Sequence, residues 1–199
     1  MSQPYPVPVA AAEVETEVRK SRFIARALPC SDREQAMALL AQARLEFADA
    51  RHHCWAYQLG DPACPQSAAM SDDGEPSGTA GKPILNVISH RGIGDLMVIV
   101  IRYFGGIKLG AGGLVRAYGQ AAGQALDALR LEQTEPCCNL TARLDFAQEQ
   151  RLRYWLQQHQ GSVVQIDYAE RVCVALILPE RHLEQWSTFC RAHGVETTP

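Results

Sequence analysis

Residues 96–118 read LMVIVIRYFGGIKLGAGGLVRAY, and they decide what kind of layer structure the chain can build. Leu96 to Ile101 is an unbroken apolar run leading into Arg102 and Tyr103, the pattern of a central strand covered on both faces. Gly105 to Gly113 then holds five glycines in nine residues, which predicts a loop. Beyond it Leu114, Ala117, Ala121, Ala125 and Leu129 recur at helical spacing, and their small neighbours predict a helix packed closely on a sheet. A buried strand, a glycine-rich turn and a sheet-packing helix point to a mixed α+β domain.

Working outward, Val14, Thr16 and Val18 alternate with Glu13, Glu15 and Glu17, a half-buried strand that the extended run Ser21 to Leu28 turns into a hairpin. Ser31 and Glu34 read as a capping box for a helix reaching about Ala48. Cys54 to Leu59 reads as a strand, and Gly60 to Gly81, rich in proline, glycine and small polar residues, as one long loop. Thr79 is placed to cap a short helix ending near Ile88. Leu131 to Pro136 shows no periodicity, so the domain boundary is expected there, giving domains 1–134 and 135–199. The second half reads strand 139–146, helix 148–160, strand 162–168, strand 171–178, helix 180–193 and a short final strand. That β-α-β-β-α-β order is the ferredoxin-like arrangement.

Composition removes several function classes. The 199 residues carry a formal net charge of −3, and neither half has a basic excess, so nucleic-acid binding would have to be local. The longest apolar run falls far short of the ~18 residues of a membrane span, and prolines and glutamates stand where a signal peptide needs an apolar core. A cytoplasmic protein with no membrane association is expected. Seven cysteines without a C-x-x-C pair fit a reducing compartment. His52, His53 and Cys54 invite a zinc reading, but consecutive strand residues point to alternate faces, so no metal site is expected.

Two stretches carry chemistry. At the strand–loop–helix junction, free amides near Gly112 and Gly113 outline an anion site, with Arg102, Lys108 and Arg116 for charge and Tyr103, Phe104 and Tyr118 as stacking surfaces. The glycines match neither a Walker loop nor a dinucleotide fingerprint, and close helix–sheet packing would explain them equally well. In the loop from Ser71 to Pro83, Asp72, Asp73 and Glu75 either hold a magnesium ion, raise one another's pKa, or pair with Arg102, Lys108 or Arg116 to fix the loop; the last is favoured. Ser77 lies in no nucleophile elbow, and no catalytic residue is assigned.

Residues 20–24 (KSRFI), 53–57 (HCWAY), the Asp72 to Leu85 segment and the Arg102 to Tyr118 segment together resemble the IMPACT family, in its bacterial form. The resemblance implies a first domain similar to the fourth domain of elongation factor G and a second similar to its ferredoxin-like fifth domain. It also implies translation regulation, which eukaryotic members exert through protein partners. The expected function is therefore a translation-associated regulator that binds RNA or the ribosome and needs neither catalysis nor a cofactor. Two alternatives stay open: a phosphate- or nucleotide-ligand enzyme using the acidic loop with a divalent metal, and a protein-interaction module.

Overall fold

A computed structural model describes residues 4–198 and divides the chain into two compact α+β units, one of residues 5–134 and one built on residues 135–199. The first contains β1 (Pro6–Pro8), β2 (Ala12–Val18), β3 (Ser21–Pro29), α1 (Arg33–Glu46), β4 (His52–Leu59), β5 (Ser67–Ser71), α2 (Gly81–Arg91), β6 (Leu96–Tyr103), α3 (Ala111–Asp127) and β7 (Leu131–Gln133). The second contains β8 (Cys137–Leu144), α4 (Glu149–Gln158), β9 (Ser162–Tyr168), β10 (Val172–Pro179), α5 (Leu183–His193) and β11 (Glu196–Thr198).

The first unit is built on a five-stranded antiparallel sheet of order β2-β3-β6-β4-β5. Central β6 is buried from Leu96 to Arg102, and its side chains divide by parity. Val98 and Val100 join Phe23, Ala25, Cys54 and Ala56 under α2 and α3, where Ala117, Ala121 and Ala125 bring α3 close to the sheet. Met97, Ile99 and Ile101 face the other way, into a core closed by Leu40 and Ala43 of α1. The second unit has sheet order β11-β8-β10-β9 with the ferredoxin-like β-α-β-β-α-β chain order, and Trp186, Leu152 and Leu156 fill its core.

Local differences from the sequence reading have physical causes. The cap of α1 is Asp32, not Ser31: its carboxylate accepts the Gln35 amide at 2.8 Å, and Gln35 Oε1 accepts the Ser31 amide at 2.8 Å, so Glu34 takes no part. The long loop contains β5, which pairs with β4 although its small residues have little strand propensity of their own. Leu131–Gln133, expected to lack structure, forms a ribbon with β1. Thr79 does not cap α2, because its hydroxyl donates to the Pro76 carbonyl at 2.6 Å.

Candidate functional site

One end of the first unit's sheet gathers the segments that the sequence marks for chemistry. Register pairs Arg22 with Tyr103, His52 with Arg102 and Trp55 with Ser71, so β3 and β4 begin where β5 and β6 finish. The β2–β3 turn, the acidic loop and the glycine-rich loop all emerge there. Both α2 and α3 start from that end.

The glycine-rich loop is held by contact with the β2–β3 turn. A Cβ on Gly105 would lie 1.9 Å from the Lys20 carbonyl oxygen, so no other residue fits, and Gly105 N–H donates to Ser21 Oγ at 3.2 Å. Gly112 is different. A Cβ there would meet only the Arg116 guanidinium, at 3.8 Å, which removes close packing as the reason for this glycine; Gly113 would bring Leu109 to 3.1 Å. No side chain caps α3, so its N-terminal amides face the loop.

Each carboxylate of the acidic loop has partners close at hand, two of them guanidinium groups. Asp72 accepts the amides of Gly78, Ala80 and Gly81 at 2.7, 2.9 and 2.8 Å, acting as a remote cap for α2. Burial works against its ionisation, yet the three amides prevail and hold its pKa below the ordinary carboxylate value. Asp73 takes the Arg44 guanidinium at 2.8 Å and the His53 amide at 2.7 Å. Glu75 is buried against Arg102 at 2.5 Å and accepts the Tyr118 hydroxyl at 2.9 Å. The loop thus follows the structural reading in kind and in one of its expected partners, Arg102, while Arg44 and the loop's own amides stand where Lys108 and Arg116 were expected.

That arrangement corrects three roles drawn from the sequence. Arg102 is 7% exposed and spends its charge on Glu75, so it offers none to solvent. Tyr103 faces the α1 side of the sheet, where its hydroxyl donates to Asp49 at 2.7 Å and Arg22 lies over its ring. It therefore cannot stack on a ligand beside α3. Tyr118 is fully buried, between Cys54 and Glu75. The exposed aromatic of the loop is Phe104.

Arg19, Lys20, Arg51, Lys82, Lys108 and Arg116 are exposed at this end, and none forms an ion pair among the described residues. Arg19, Lys20 and Lys82 were missed as site residues in the sequence. The available signal was that the two residues between the strand patterns are Arg19 and Lys20 where a tight hairpin prefers asparagine and glycine; in the structure both have positive φ, 47° and 66°.

The buried thiol and phenol of this region are held in their protonated forms. Burial pushes the Cys54 thiol up to about 12 and raises Tyr118 well above its ordinary value, so neither ionises near neutrality. Among the described residues no group of three or more His, Cys, Asp or Glu is placed to hold a metal ion. His52 Nδ1 lies 2.9 Å from the Asp73 carbonyl oxygen, whereas Nε2 of buried His53 has no hydrogen-bond partner among the described residues. No helix among the described residues is long and apolar enough to cross a membrane.

Comparison with known proteins places the chain among similar sequences and structures. The Impact N-terminal domain matches residues 19–126, and a domain of unknown function, DUF1949, matches residues 143–189. The IMPACT family member YigZ of Escherichia coli K12 is 39% identical over 181 residues, covering 91% of this chain and 89% of that one. An IMPACT family member of Haemophilus influenzae is 36% identical over 184 residues, covering 92% and 89%. A crystal structure of a hypothetical protein is similar at a TM-score of 0.90 and 34% identity, covering 99% of this chain and 97% of that chain.

Proposed function

The chain belongs to the IMPACT family, and from that premise we propose that it is a translation-associated regulator that holds RNA, free or in the ribosome, on the cationic end of its first unit. Lys108, Arg116 and the amides of Gly112 and Gly113 take phosphate, joined by Arg19, Lys20 and Lys82. One observation carries the reading: Asp73 and Glu75 are paired with Arg44 and Arg102, and Asp72 is held by the amides at the start of α2, so the acidic loop forms no ion pair with the free cations beside it. Net acidity of the whole chain is then no obstacle, because phosphate contact is a local event screened beyond about 10 Å at 0.1 M salt.

The metal-dependent alternative has less support, since the carboxylate oxygens it needs already accept amides, guanidinium groups and a tyrosine hydroxyl. A protein-interaction surface has a specific feature in its favour: Phe104, Ile107 and Val115 are exposed around the same loop. Co-sedimentation with purified ribosomes at increasing salt separates these readings. Binding that weakens with salt and drops in Lys108→Ala/Arg116→Ala supports phosphate contact. Pelleting that ignores both salt and the substitutions overturns it in favour of an apolar protein contact.

A further inference from the structure

Two clefts open at the cationic end, one on each side of Leu109, which lines both. The first, about 290 Å³, has Leu109 and Leu114 as apolar wall, the 56% exposed Phe104 ring at its edge, and Glu75 and Arg102 along its polar side. Arg102 is more than nine-tenths buried, and its Nε–H has no hydrogen-bond partner among the described residues. A desolvated donor without an acceptor is unfavourable unless a ligand or water meets it. The second cleft, about 270 Å³, is lined by Arg19, Arg116, Gln120 and Gly113 with no carboxylate among its walls. Two guanidinium groups beside one cleft repel each other unless an anion lies between them. Arg19 is also delivered to that cleft from a left-handed backbone conformation that a long side chain rarely adopts, and such residues cluster at functional sites.

We propose that the paired clefts accept one nucleotide step of a single RNA strand. The base of an unpaired nucleotide enters the first cleft against the Phe104 ring, with its polar edge toward Arg102 and Glu75. The adjoining phosphate lies in the second cleft between Arg19 and Arg116. This rests on the RNA-binding reading above and goes beyond it by requiring strandedness: phosphate contacts alone accept a duplex, whereas a base inside a duplex is stacked and cannot reach Phe104.

Fluorescence anisotropy at fixed low salt tests it with three labelled RNAs of equal length: an unstructured single strand, the same strand with every base replaced by hydrogen, and a blunt duplex. The parent should favour the intact strand over both others by about 5-fold or more, the range expected for one stacked base. Phe104→Ala should lose that preference, Phe104→Trp should restore it, and circular dichroism melts should match the parent for both. Arg19→Ala should keep the preference while lowering the slope of log K against log salt by roughly 0.7. Equal affinity for all three RNAs would overturn the cleft assignment and leave backbone binding standing. Absence of binding to any of them would overturn both.

Discussion

Arg19 and Lys20 fill a two-residue turn whose positive φ values suit asparagine and glycine. Left-handed backbone costs an ordinary residue roughly 1–2 kcal/mol, so the turn gives up stability to keep two cations beside α3. Replacing them as Arg19→Asn/Lys20→Gly should stabilise the first unit by about 1 kcal/mol, after the flexibility that glycine adds to the unfolded chain, while weakening RNA binding. A higher melting temperature with lower affinity is the expected pair of results; an unchanged affinity would remove the turn from the site. Gly105 illustrates why residue roles were only partly legible. The sequence shows five glycines between 105 and 113, but only three-dimensional contact with Lys20 distinguishes the glycine without room for a Cβ from Gly112, which has it.

Among the elements, the acidic loop is the one whose order depends on buried charge. Glu75 and Arg102 have side chains 4% and 7% exposed, and removing one partner strands the other without solvent. Glu75→Ala should therefore cost about 3–5 kcal/mol in urea unfolding, and a loss below about 1 kcal/mol would show that water replaces the carboxylate. Stability should also fall with acid in two stages. Burial lowers the pKa of His53, so below about 6.5 the unfolded chain binds a proton that the folded chain still refuses. Asp72, held below its ordinary value of 3.8, adds a second loss at lower pH. In His53→Gln the first stage should shrink in a pH series of melting temperatures, leaving what His182 contributes in the second unit, while the second stage persists. The β6 strand and α3 were legible because each repeats its apolar pattern over many residues. The five-residue β5 was not, since its small side chains form a strand only when β4 offers an edge.

For the whole molecule, chain order revealed the ferredoxin-like half, whereas the three-residue β1–β7 ribbon joins segments more than a hundred residues apart and leaves no local signature. Each unit closes its own core, so residues 1–134 and 135–199 should each fold when produced separately. Cooperative urea transitions in both fragments are the expected result; a non-cooperative one in either would show that its core needs the other. The most direct test of the central claim is the salt dependence of single-stranded RNA binding. Substitution of Arg19, Lys20, Lys82, Lys108 and Arg116 by glutamine should lower the slope of log K against log salt by up to about 3.5, at roughly 0.7 per phosphate contact. Neutralising Arg143, Arg151 and Arg191 of the second unit should leave it unchanged. A slope untouched by the fivefold substitution, or one that falls as far with the second-unit substitutions, would contradict the account.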